Sequence, residues 1–337
     1  MKNLTGSNAH QNPLSSVAAQ FAALALVWGG SFLFVRLALR GISPVQVAVG
    51  RLILGAIILA LIMIVTNRRW PRDPRTLGNL AVVAVLLGVF PFLLFAWAGQ
   101  YLPSGLSSIY NATTPIMTLL VSIVALPNER FTRARSIALG LGAIGVLVLA
   151  APWRIDSDLT DRKQLLAQLA CLGATACYGM GFVYMRRFIS GSSYDTVTIA
   201  ATQVGIGAVI MLCASPFIAR TPVDLSPKVV FSMLALGIGG TGIAYIWNTN
   251  IVKSWGATTA STVTYVIPIV GVALGFLVLD ERLHWNEPIG AVIVVLGILI
   301  SQGRLKSLWT RTMRHSTLLP VGSVARGDAS ANNDVVP

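Results

Sequence analysis

One arginine stands where arginine is costly. Arg51 lies seven residues past Pro44, within an apolar run that continues to Thr66. A guanidinium at the centre of a membrane-spanning helix costs about 2.5–3.5 kcal/mol on an insertion scale, and less where the chain can snorkel. What such a group can do is hold a carboxylate, because its planar fork offers two parallel N–H donors at the spacing of two carboxylate oxygens. The other role open to it is an anchor, snorkelling to the interface or bonding to a neighbouring backbone carbonyl.

Further hydrogen-bonding groups collect in four places. They are Ser107, Ser108, Tyr110, Asn111, Thr113 and Thr114; Thr258, Thr259, Ser261, Thr262, Thr264 and Tyr265; Gln100; and Trp247, Asn248 and Asn250. As a set they offer hydroxyl and amide contacts to a polar solute. A single Ser or Thr in lipid more often bonds to its own backbone or lets helices pack closely. The amides of Asn111 and Asn248 demand partners and favour a cavity. Trp28, Tyr178, Trp97 and Trp247 supply flat walls that can stack on a substrate or bind a cation. Trp97 and Trp247 fall near run ends, where an interfacial belt explains them equally well. Trp28 falls in mid-run. Pro115 and Pro268 interrupt backbone hydrogen bonding inside spans, as hinges or as static kinks.

A membrane-embedded enzyme, acting on a lipid-linked or small apolar substrate, would need His, Asp, Glu or Cys gathered near one face. His10, His284 and His315 all fall outside the apolar runs, and Cys171, Cys177 and Cys213 read as thiols within them. No metal site or cofactor is expected, and no mid-span carboxylate offers a proton relay. Glu129 and Glu281 sit in turns beside arginines, where ion pairs or caps are the natural role.

To meet in one place these side chains need membrane spans, and the composition provides them. The chain is 55% hydrophobic and only 11% charged, with a mean hydropathy of +0.73, whereas soluble domains carry about a quarter charged residues. A span takes about 20 apolar residues. Val17–Leu39, Pro44–Thr66 and Leu77–Tyr101 each suffice, as do two hairpin arms on either side of Leu126–Arg130. The first run has no small-residue cleavage site behind it and stays as a helix. Five more runs follow a polar connector near Pro152–Asp161. The fold class is therefore all-α and integral to the membrane, with ten transmembrane helices.

The second five repeat the first. Trp28-Gly29 with Phe32 and Arg36 returns 150 residues later as Tyr178-Gly179 with Phe182 and Arg186. Gly55 and Gly205, Trp97 and Trp247, and Gln100 and Asn250 keep the same offset, while Pro115 and Pro268 are 153 apart. Repeat one covers 17–152, repeat two 162–303, and a basic, partly disordered tail 304–337. An odd number of spans per repeat inverts the second relative to the first, a plan common among transporters. Arg51 pairs by this offset with Ala201, so the symmetry is broken there.

Net charge is +13. Basic residues gather in cytoplasmic loops, which explains the excess without nucleic acid as a partner; the expected partners are the lipid bilayer and a small-molecule substrate. Sixteen Lys and Arg lie on the side of the termini against seven on the other, so both termini are expected in the cytoplasm. In the tail, Leu305, Leu308, Trp309 and Met313 share a helical face among basic residues. That segment either lies on an anionic leaflet or merely anchors a helix end.

Trp28-Gly29-Gly30-Ser31-Phe32, Arg51, Pro115 before Asn128-Glu129-Arg130, and Pro268 before Asp280-Glu281-Arg282 together resemble the drug/metabolite transporter superfamily, and within it the ten-helix EamA-type exporters. The resemblance spans Val17 to Gly303. It implies a helical basket whose central cavity is lined by helices 1–4 and 6–9, with helices 5 and 10 peripheral. It also implies export of small metabolites, amino acids or drugs by alternating access across the cytoplasmic membrane. The substrate-site candidates are accordingly Trp28, Arg51, Trp97, Gln100, Asn111, Tyr178, Trp247, Asn248 and Tyr265, with Pro115 and Pro268 as candidate hinges. The topology is directly testable. Cysteines introduced at Ser157 and Ser307 should react with an impermeant thiol reagent from opposite sides, and equal labelling from one side would exclude the ten-span inverted plan.

Overall fold

The computed structural model describes residues 13–125, 132–151, 159–189, 191–255 and 263–301. Glu129 and its turn, Thr258–Thr262, Ser157 and the tail beyond Ser301 lie outside the described residues. Among the described residues there are ten helices: α1 (Pro13–Ala38), α2 (Pro44–Val65), α3 (Pro74–Ala98), α4 (Ser104–Ala125), α5 (Arg133–Ala150), α6 (Leu159–Phe188), α7 (Thr196–Ile218), α8 (227–255), α9 (Val263–Leu279) and α10 (Asn286–Ser301). Eight of them are long and apolar enough to cross a membrane, and the described parts of α9 and α10 are 17 and 16 residues long.

Local chemistry sets where the helices begin. Ser43 and Gln46 form a capping box ahead of Pro44, and Asp73 and Ser226 cap α3 and α8 in front of Pro74 and Pro227. Proline suits a first helical position because its missing N–H would have had no partner there. Asp195 caps α7, accepting from the Val197 and Thr198 amides and the Thr198 hydroxyl, and it pairs with Arg68 from the α2–α3 loop. Burial opposes ionisation of that carboxyl, but the Thr198 hydrogen bonds and the Arg68 charge outweigh it and hold its pKa below the ordinary carboxylate range.

The two repeats interleave. α1 lies against α9 and, in the symmetric contact, α6 lies against α4; likewise α2 packs on α8 and α3 on α7. The pairs α2–α7 and α5–α10 join equivalent helices. Glycines set the closeness of these crossings. A Cβ on Gly29 would stand 2.6 Å from the Val270 side chain, and one on Gly179 would stand 2.8 Å from the Met117 backbone. At the α5–α10 pair, Gly145 and Gly290 each approach the other's carbonyl oxygen, at 3.0 and 2.9 Å from the Cβ positions. Gly140, expected to pack in the same way, has open space beside it.

Three inner helices depart from α geometry. α3 widens to a π-turn at Val85–Val89, and α8 does so at Ala235–Ile243, the same place in the repeat. In α3 the cause is Pro91, which has no N–H and whose ring would clash with a carbonyl one turn back; a wider turn moves that carbonyl away. In α8 four glycines between Gly237 and Gly242 offer little side-chain packing to hold a tighter turn. α4 breaks at Ala112–Thr113, just ahead of Pro115. The Thr113 hydroxyl donates to the Tyr110 carbonyl at 2.8 Å and the Thr114 hydroxyl to the Asn111 carbonyl at 2.7 Å. These two hydroxyls serve the backbone at the break.

The loops of one face are tied across the repeats. Gln46 donates to the Thr221 carbonyl at 2.7 Å and the Asp224 amide to the Gly41 carbonyl at 2.9 Å, while within the first repeat Arg36 donates to the Gly99 carbonyl. Glu281, expected to form an ion pair or a cap at its turn, caps α4: it accepts from the Ser104 amide (2.9 Å), the Ser104 hydroxyl (2.8 Å) and the Gly105 amide (3.2 Å). A helix N-terminus presents unsatisfied N–H groups and a partial positive charge, so a carboxylate is better used there than in an exposed ion pair.

Two stability outcomes follow from this packing. Gly179→Leu must displace the α4 backbone and should lower the melting temperature in detergent, overpacking costing about 1–3 kcal/mol. Gly140→Ala should be neutral or stabilising by up to about 1 kcal/mol through helix propensity. Because the folded pKa of Asp195 is depressed, its stabilisation is full above the ordinary carboxylate pKa and disappears as pH falls through the folded value. Asp195→Asn should therefore flatten the acid limb of a melting-temperature profile and lower the neutral plateau.

Candidate substrate site around Arg51

Arg51 projects from α2 into the region between the two π-turns. Its Nε donates to the Thr241 hydroxyl at 3.1 Å, and that hydroxyl in turn reaches the Leu236 carbonyl at 3.1 Å across the π-turn of α8. The guanidinium carbon lies 4.0 Å from the ring centre of Phe92, which follows the π-turn of α3. A hydrogen bond to a charged donor is worth about 1.5–3 kcal/mol, and a cation over an aromatic face about 0.5–2 kcal/mol. Together they match the insertion cost of the charge. Among the described residues the side chain bonds to no backbone carbonyl.

The two Nη groups, which form the bidentate end of the fork, have no acceptor within hydrogen-bond distance among the described residues. Tyr178 from α6 and Tyr245 from α8 lie within electrostatic reach of the guanidinium. Trp28 from α1 donates its indole N–H to the Gly240 carbonyl at 3.1 Å, and a Cβ on Gly240 would stand 3.7 Å from Nη2 of Arg51. Helices α1, α2, α3, α6 and α8 therefore surround one cation. Trp28, Arg51, Tyr178 and Tyr245 all remain only half-buried, so the space between these helices is not filled. Phe95 and Phe32 extend the aromatic wall beyond Tyr178, with ring centres 6.2 Å (Phe95–Tyr178) and 5.4 Å (Phe32–Phe95) apart.

Beside Arg51 a small cavity of about 10 Å³ is lined by Leu52, Leu87, Phe92, Gln203 and Tyr245. Gln203 is 4% exposed, its side chain meets Tyr245, and its Oε1 has no hydrogen-bond donor among the described residues.

Of the sequence candidates, Trp28, Arg51 and Tyr178 come together here. The others lie around it, Trp97 and Tyr265 against the cluster that Tyr178 also touches and Trp247 against the one that Trp28 touches. Trp97 stacks against Tyr101, with ring centres 5.2 Å apart, and Gln100 is exposed at the rim of a cavity of about 400 Å³ between the α1–α2 and α7–α8 loops. Trp247 joins the cluster of Leu24, Ala244 and Val263, which Trp28 also touches, and Asn248 is half-buried next to it. Asn111 is half-buried at the α4 break, and Tyr265 packs on the cluster of Leu102, Leu106 and Tyr110. Pro115 opens the second segment of α4, and Pro268 is buried within α9.

Sequence reasoning missed Phe92, Gln203, Thr241 and Tyr245. Gln203 carried a signal, being a carboxamide in mid-span like Asn111. Thr241 was marked by its setting, Gly239-Gly240-Thr241-Gly242. Phe92 and Tyr245 are indistinguishable in sequence from packing aromatics.

Comparison with known proteins agrees with this architecture. The EamA-like transporter family matches residues 16–151 and again 165–302, one copy per repeat. An uncharacterized transporter, YoaV, of Bacillus subtilis (strain 168) is 23% identical over 283 residues, covering 83% of this chain and 94% of that protein. A probable amino-acid metabolite efflux pump of Escherichia coli (strain K12) is 23% identical over 299 residues, covering 86% and 95%. A solved crystal structure superposes with a TM-score of 0.61 at 17% identity over 87% of this chain and 99% of its own, a likeness of fold alone. With a family match in each repeat, apolar helices throughout and transporters as its relatives, the chain belongs to the EamA-like transporter family.

Proposed function

We propose that this transporter exports small carboxylate-bearing metabolites, amino acids and related compounds first, by alternating access, with Arg51 holding the carboxylate. The observation that carries the reading is the free bidentate end of a half-buried guanidinium that no Asp or Glu among the described residues neutralises. An anion arriving there meets a preformed fork and an unpaid charge, and it gains from both. Trp28, Tyr178 and Tyr245 form the wall against which the rest of the substrate lies. The name of the Escherichia coli relative supports the substrate class. Both termini face the cytoplasm in this reading, as the distribution of basic residues favours.

Exchange of labelled amino acids in proteoliposomes tests it. Arg51→Gln should weaken carboxylate-bearing substrates by about 10–100-fold, the worth of charge-assisted hydrogen bonds, and affect neutral amide analogues far less. Arg51→Lys keeps the charge without the fork and should fall between. If both variants insert normally and move every substrate as well as the parent, Arg51 is an anchor and the reading fails.

A further inference from the structure

The carboxamide of Gln203 is the polar group that the carboxylate reading does not use. It is almost fully buried, yet Oε1 has no donor among the described residues. A buried acceptor left unmade costs about 1–3 kcal/mol, and such groups persist where a ligand or water completes them. The adjoining cavity of about 10 Å³ is the size of one water molecule, and an ammonium group is about as large. Two of its walls are aromatic, Phe92 and Tyr245, and ring faces attract cations.

The place of this cavity ties it to the carboxylate site. Phe92 lines it and also carries the Arg51 guanidinium on its ring. Tyr245 lies within reach of Arg51 and meets Gln203. A carboxylate on the Arg51 fork cancels the charge that would otherwise repel an ammonium next door. Repeat symmetry is no help to either group, since position 201 is alanine where position 51 is arginine.

We infer that Gln203, with Phe92 and Tyr245, receives the amino group of the substrate whose carboxylate Arg51 holds. The site then selects compounds carrying a carboxylate and an ammonium on the same carbon over plain carboxylic acids. This rests on the proposed role of Arg51, and the two can fail separately.

Titration calorimetry on the full-length chain in detergent decides it, using a panel of L-amino acids each set against its deaminated acid, for example L-leucine against 4-methylpentanoate. The parent should bind the amino acid about 10–100-fold more tightly, as expected for one hydrogen bond to a charged group. Gln203→Met keeps the volume and removes the acceptor, and should weaken the amino acid alone until the pair binds alike. Gln203→Glu restores an acceptor and should keep the preference, so it decides the matter even if the methionine variant does not fold. A parent that binds both members equally, a methionine variant that weakens both or neither, or a glutamate variant without preference overturns the role of Gln203. Arg51→Gln leaving the deaminated acid's affinity unchanged overturns the Arg51 reading instead, and a panel in which nothing binds overturns both.

Discussion

Inside a bilayer every backbone N–H and C=O must find a partner within the protein, because neither water nor lipid tails can supply one. That constraint decides where this chain can depart from an ideal helix. The departures fall on inner helices, and those of α4 and α8 come with a substitute. Thr113 and Thr114 serve the carbonyls at the α4 break, the Thr241 hydroxyl bonds across the α8 π-turn, and Glu281 holds the amides that open α4. The α5–α10 pair is regular and glycine-packed. Two of the three departures, the π-turns of α3 and α8, lie where helices surround Arg51.

The duplicated architecture and its one asymmetry work together. Symmetric crossings, such as Gly29 on α9 and Gly179 on α4, give the two halves the same contacts. Two π-turns at equivalent positions place Phe92 and Thr241 on either side of one guanidinium. Only one half carries the charge. A substrate with one anionic end calls for such a break, whereas a fully symmetric site would present two cations at close range, which repel.

Much of the fold was legible in the sequence. The apolar runs fix the spans, and the 150-residue offset identifies the repeat, because hydrophobic length and duplicated glycines are local, one-dimensional signals. The site was legible only in part. Arg51 stands out because charge in lipid is rare, and Trp28 and Tyr178 stand out through the offset. Phe92 and Tyr245 reach Arg51 from other helices, with Gln203 next to Tyr245, and which face of an apolar helix turns inward leaves little trace when both faces are apolar. A cap was among the roles open to Glu281, but its partner was hidden for a related reason: the first turn of α4 is far away in sequence, whereas the arginine next to it is adjacent.

That cap has a consequence for how the protein is made. Ser104 and Gly105 enter the membrane long before residue 281 is synthesised, since chains grow from the N-terminus at about 5–20 residues per second. For those seconds the opening amides of α4 can be served only by water and lipid headgroups at the surface, so α4 cannot settle to its final depth. α1 likewise waits for α9 to cover Gly29. The first half of the chain thus leaves these contacts open until the second half arrives to close them.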